Sequence, residues 1–341
     1  MNKYANKGLS GLQNLGNTCF INSSIQCLFN IYELIDVVEN INLQKKLNNK
    51  PDSIMLLEWD KLRKMIYNEN CVISPGGFVT SVRKISKIKN KELFSGFSQN
   101  DLPEFLLFII DCFHNALARE VDMNINGKVI NEKDKMAKIS YEMMKKMYKK
   151  EFSEVLTLFY GIHISIIVNT KDKILSRSPE PFLNISLPIP DIDKPTIYDC
   201  FNLYTEDEFM HGDNAWYNET TQIKEDITKK LIFWSLPKIM ILDFKRFNYF
   251  NLEKNNKHIH FDLENLDMRN YVNEYYSESY IYDLFAICNH VGSRDGGHYF
   301  SYIKNANNKW YKYDDTDVNE IKDYSNLISS YAYCLFYRKK K

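Results

Sequence analysis

The chain has 341 residues, 44% of them hydrophobic and 26% charged, enough to bury a large core as one big domain or two ordinary ones. Its 44 Lys and Arg balance 44 Asp and Glu, so charge gives no argument for nucleic acid or an anionic membrane as a partner, and Lys339-Lys340-Lys341 reads as a solvated end. The longest clear apolar run, residues 105–110, falls short of a membrane span, residues 1–7 are too polar for a secretory signal, and seven Cys without close pairs fit a reducing compartment, cytoplasm or nucleus, better than a disulfide framework.

The first part of the chain reads mainly helical. Asn17-Thr18 is placed to cap a helix from Cys19, because Ile21, Ile25, Leu28 and Phe29 follow at one-face spacing. Phe105, Phe108, Ile109, Cys112 and Phe113 make a second helical stripe; Asp101 with Glu104 has the pattern of a capping box before it, and Pro103 suits its first turn. After a loop at Ile125-Asn126-Gly127-Lys128, residues 135–150 are rich in Met and Lys and predict an exposed helix. From about Phe159 the period changes to two, beginning with Ile162, Ile164 and Ile166. Strands are also predicted over 183–187, 239–242, 280–287, 299–303 and 333–337. Helices first and antiparallel strands later suggest an α+β architecture.

Three residues carry the chemistry. Cys19 lies in Gly11-Leu12-Gln13-Asn14-Leu15-Gly16-Asn17-Thr18-Cys19-Phe20-Ile21-Asn22-Ser23, at a predicted helix start that would favour a thiolate. Taken by itself, such a Cys reads first as a small, buried, inert core residue. His298 follows Gly296-Gly297, which lets backbone approach closely at a strand start, with His290 as a competitor eight positions earlier. Asp314 and Asp315 follow Trp310-Tyr311-Lys312-Tyr313; a base needs an acceptor for its second ring N–H, and a carboxylate on the next strand supplies one. Cys early, His late and Asp after it is the chain order of papain-like cysteine hydrolases.

The local strings resemble those of the ubiquitin-specific proteases, a deubiquitinase family. The Cys19 box is similar to the family's first box, and Gly297-His298-Tyr299 with Trp310-Tyr311-Lys312-Tyr313-Asp314-Asp315 to its His box. Between them, Gln99-Asn100-Asp101-Leu102-Pro103-Glu104-Phe105 resembles the Gln-Asp box and Phe244-Lys245-Arg246-Phe247 the Leu-Lys-Arg-Phe box. Ala332-Tyr333-Cys334-Leu335-Phe336-Tyr337-Arg338 resembles the closing strand. The resemblance implies one catalytic domain over 8–341, papain-like, with a helical thumb to about 155 and β-rich fingers and palm beyond.

It further implies that Cys19 is the nucleophile, His298 the general base and acid, Asp314 the residue that orients it, and Asn14 the donor to the oxyanion. Asp315 could support or replace Asp314, and Asn14 is also an ordinary turn residue before a helix. Ubiquitin and ubiquitinated proteins are the implied partners, the bond after ubiquitin's C-terminal glycine the implied target. Its Leu-Arg-Gly-Gly tail would lie extended in a narrow channel. Asp101 matches a residue that holds the tail, while also reading as a helix cap; Tyr299 lines the channel or belongs to the core. A catalytically silent ubiquitin-binding scaffold and a protease for another Gly-Gly-ended modifier are the competing readings.

One feature departs from the resemblance. Many family members hold zinc at the fingertips with two Cys-x-x-Cys pairs. Here the matching positions are Asn169 and Asp172, then Asn218 and Thr221, so no structural zinc and no other cofactor is expected. His258-Ile259-His260 reads as a strand pair without a third ligand rather than a metal site.

Overall fold

The computed structural model describes residues 2–40, 46–247, 253–273, 279–293 and 296–340. Its helical half comprises α1 (Cys19–Phe29), α2 (Tyr32–Asn40), α3 (Asp52–Asn68), α4 (Gly76–Ile88), α5 (Leu102–Leu117), α6 (Glu132–Lys150) and α7 (Glu154–Phe159). Two-residue strands β1 (Gly11–Leu12) and β2 (Val72–Ile73) pair in parallel within it. The predicted stripe on α5 is buried, and aromatic stacking ties the helices together: Phe20 meets Phe105 at 5.3 Å, and Trp59 lies between Phe29 at 5.4 Å and Phe113 at 5.3 Å. Among the described residues, no helix is long and apolar enough to cross a membrane.

The second half is β-rich. Its strands are β3 (Gly161–Asn169), β4 (Ile174–Phe182), β5 (Asn184–Leu187), β6 (Glu208–Met210), β7 (Trp216–Asn218), β8 (Ile223–Glu225), β9 (Ile227–Ser235) and β10 (Ile239–Phe244). There follow β11 (Leu266–Asp267), β12 (Ile281–Gly292), β13 (Gly297–Lys304), β14 (Trp310–Asp314), β15 (Asp317–Ile321) and β16 (Ala332–Lys339). The palm sheet has the order β15-β14-β13-β12-β16-β10-β5, with β11 beside β12. The fingers are a separate sheet, β4-β3-β9-β6, with the β7–β8 hairpin. This is the expected α+β layout.

Period-two alternation places the palm between two cores. On β16, Cys334 and Phe336 join the core shared with the helical half, while Leu335 and Tyr337 face a second core beneath α8 (Ile197–Tyr204). This explains a difference from the one-sided helix predicted at Cys19. All eleven residues of α1 are buried, because α5 flanks one side and β12–β14 the other. Thr18 occupies the N-cap position, but its side chain makes no cap bond; its hydroxyl accepts from Leu15 N instead. Asp101 does cap α5, accepting from Glu104 N at 3.1 Å.

The exposed helix is α6, which starts three residues before the predicted span at a capping box of Asn131 and Asp134. The β12 strand runs past its predicted end and carries His290. His258-Ile259-His260 is not a strand. Ile259 is buried in the second core, His258 bonds to Ile328 O, and His260 makes an isolated bridge to Thr196.

Candidate active site

Cys19 is the first residue of α1 and only 2% exposed. Burial pushes its thiol above the ordinary range; a backbone hydrogen bond at Tyr299 opposes the rise, and the Asp315 charge adds to it. Burial and the helix start thus act on the thiol in opposite directions. No hydrogen bond joins Cys19 to His298 among the described residues. We expect iodoacetamide at neutral pH to modify exposed Cys71 before Cys19, read by peptide mass. The reverse order would contradict a protonated resting thiol.

His298 is the second residue of β13, and its Nε2 lies 2.6 Å from Asp314 Oδ1 at the end of β14. The antiparallel register pairs Ser301 with Tyr313, which makes Asp314 a diagonal neighbour of His298. Asp314 Oδ2 bonds to Lys312 Nζ at 2.7 Å. Burial alone would raise the Asp314 carboxyl, but the bonds from Lys312 and His298 outweigh it and hold the group below its usual range. Lys312 lies two residues before Asp314 and so on the same face of β14, a period-two signal that the sequence reading passed over.

Asp315 goes elsewhere. It sits in the two-residue turn between β14 and β15 with φ of 48°, a left-handed conformation that Asp tolerates. Its Oδ2 accepts from Asn14 Nδ2 at 2.9 Å and its Oδ1 from Asn22 Nδ2 at 2.8 Å. The turn packs directly on β1. Leu12 N donates to Asp315 O at 2.7 Å, and a Cβ on Gly11 would come within 2.1 Å of Thr316 O. Adjacent carboxylates thus serve different partners, a division the sequence left open.

Asn14 is fixed at both ends of its amide. Oδ1 accepts from Gly16 N, Thr18 N and Thr18 Oγ1 at 3.1–3.2 Å, and these donors settle which end is oxygen. Nδ2 spends one N–H on Asp315 and keeps a second.

A groove of about 980 Å³ runs between the two halves, lined among others by Asp101, Asp243, His290, Tyr299 and Tyr333. Asp101 lines the groove, accepts from the Tyr333 hydroxyl and caps α5. Tyr299 likewise lines the groove while being 5% exposed. Gln99 joins the two walls: its Nε2 donates to Gly297 O and its Oε1 accepts from Gly297 N, both at 2.8 Å. A Cβ on Gly297 would lie 2.3 Å from His290 Nε2, so only glycine fits before the candidate base. Competitor His290 is 3% exposed behind Tyr299, their rings 4.5 Å apart; burial, then Lys254 and His298, lower it to about 4.

The fingertip positions do not fit a zinc ion. Asn169 Oδ1 accepts from Lys171 N and Lys173 N, and Asp172 takes φ of 57° in the same turn. Asn218 Nδ2 and Thr221 Oγ1 both donate to Glu225 Oε1, at 2.6 and 3.0 Å. Among the described residues, no group of three or more His, Cys, Asp or Glu could hold a metal. A chelator should leave the melting temperature and activity unchanged; a fall in either would show a structural metal.

Residues 10–337 match the family model described as Ubiquitin carboxyl-terminal hydrolase. Ubiquitin carboxyl-terminal hydrolase 2 of Bos taurus is 31% identical over 352 residues, covering 99% of this chain and 56% of that protein. The Gallus gallus protein of that name is 32% identical, covering 97% and 93%. This chain thus spans little more than half the length of its mammalian relatives. Among solved structures, a chain of the SAGA Ubp8/Sgf11/Sus1/Sgf73 DUB module bound to ubiquitin aldehyde superposes with a TM-score of 0.75 at 25% identity, covering 99% of this chain and 71% of that one. This chain belongs to the ubiquitin carboxyl-terminal hydrolase family.

Proposed function

We propose that the chain is one catalytic domain, residues 8–341, acting as a cysteine-type deubiquitinase of the cytoplasm or nucleus. The observation that carries the reading is the His298–Asp314 pair next in the chain to Tyr299, which lines the groove and whose backbone touches the Cys19 thiol. Ubiquitin's tail would lie extended in that groove with its terminal carbonyl at Cys19.

Asp314 holds His298 through Nε2, leaving Nδ1 to take the thiol proton. Cys19 Sγ then attacks the carbonyl carbon of ubiquitin's last glycine, and the oxyanion takes the free N–H of Asn14. Asp315 keeps the amide plane of Asn14 aimed while the charge develops. His298 gives its proton to the leaving lysine amine, and a thioester remains. A water molecule loses a proton to His298 and attacks the thioester, releasing ubiquitin's carboxylate and restoring the thiol. The test is release of a fluorogenic amine from the C-terminus of ubiquitin, alongside the same probe on other Gly-Gly-ended modifiers. Ubiquitin cleaved fastest supports the reading; another modifier cleaved faster, or none cleaved, contradicts it.

A further inference from the structure

Lys312 stands beside the acid–base pair, yet the mechanism assigns it no step. With Asp314 on β14, it shares one face of the palm sheet with His298, Phe300 and Tyr302 on β13, because the register pairs Tyr302 with Lys312 and Ser301 with Tyr313. The opposite face of these two strands, carrying Tyr299, Ile303, Tyr311 and Tyr313, is buried in the core shared with the helical half.

On the outer face Lys312 is held at two points. Its Nζ lies 2.7 Å from Asp314 Oδ2 and 4.7 Å from the centre of the Phe300 ring. Phe300 is 7% exposed and stacks on the His298 ring at 6.5 Å. One side chain therefore joins the carboxylate that orients the base to the aromatic ring that flanks the base.

The neighbouring groups leave this arrangement to Lys312. On β15, Asn319 pairs with Lys312 and Asp317 with Asp314. Asp317 is exposed, and among the described residues Lys312 forms no ion pair with it. Asp315 is turned to Asn14 and Asn22, and burial raises the Tyr302 hydroxyl further above neutral pH. Against burial, the bond from Lys312 does more than the bond from His298 to hold the Asp314 carboxyl low. A part-exposed ion pair of this kind adds little to stability. A carboxylate anchored through its second oxygen, however, cannot turn away from the imidazole, and orientation at that atom governs catalysis.

We propose that Lys312 is a positioning residue for the hydrolysis: braced on Phe300, it fixes the carboxylate plane of Asp314 so that Oδ1 stays on His298. This rests on the deubiquitinase reading above. Lys312→Met keeps the stem over Phe300 and removes the charge. Its kcat on fluorogenic ubiquitin should fall about tenfold, a typical coupling within one hydrogen-bonded network, with the melting temperature unchanged. The pH profile separates positioning from packing. A fixed ammonium opposes proton uptake by the His298–Asp314 pair, so without it the pair is protonated at higher pH. The acid limb of kcat/KM should therefore move up by about half a pH unit or more. Lys312→Arg, which keeps the cation, should retain the wild-type limb and most of the activity. Adding Lys312→Met to Asp314→Asn should lower kcat no further, because Lys312 acts through Asp314. An unchanged kcat, a fall in kcat with the limb unmoved, an arginine variant as impaired as the methionine one, or a full further loss in the Asp314→Asn background overturns the role while leaving the deubiquitinase reading intact. A wild-type chain that cleaves no ubiquitin substrate overturns both.

Discussion

Cys19→Ala should eliminate hydrolysis of ubiquitin conjugates, with turnover falling on the order of 10⁶-fold, as when the nucleophile of a catalytic triad is removed. The size follows from the mechanism: without the sulfur no thioester forms, and the remaining donors can only polarise the carbonyl for water. Affinity for ubiquitin should change little, since Cys19 is only 2% exposed and contributes little contact area. Ala also preserves the all-round burial of α1, so folding should survive. Stopped turnover with retained binding, measured by calorimetry, is the expected pair of results. Retained turnover would remove Cys19 from the chemistry.

The second large effect separates the paired carboxylates. Asp314→Asn should lower kcat by about 10⁴, because an amide at that position favours the wrong imidazole tautomer without moving the ring. Asp314 is the group that His298 touches, at 2.6 Å, and Lys312 holds its other oxygen. Asp315→Asn should cost less, about 10²-fold, because it acts through Asn14, and losing one oxyanion donor costs about 10²–10³-fold. Combining Asp315→Asn with Asn14→Ala should therefore add little to Asn14→Ala alone. If Asp315→Asn proves the more damaging on kcat, the assignment of Asp314 as orienting residue fails.

Much of this site was legible because its parts lie in contiguous strings. The Cys19 box and the Gly297-His298-Tyr299 segment name their residues, and the change from helical to alternating period locates the two halves. What stayed hidden depends on contacts distant in sequence. Asp314 and Asp315 are equivalent as letters, and only the left-handed turn at Asp315 sends one to His298 and its neighbour to Asn14 and Asn22. Asn22 and Gln99 stood inside recognised boxes, yet their partners lie 293 and 198 residues away. For Cys19 the sequence offers a helix start and burial as opposing influences, and only the packing of α1 between the two halves shows how completely the thiol is buried.

The most direct measurement is reaction of the wild-type chain and Cys19→Ala with ubiquitin carrying a thiol-reactive group at its C-terminus, followed by intact mass and peptide mapping. One covalent ubiquitin on the wild type, mapped to Cys19 and missing from the variant, is expected. An adduct on another cysteine such as Cys71, or none at all despite ubiquitin binding, would contradict Cys19 as the nucleophile of an assembled site.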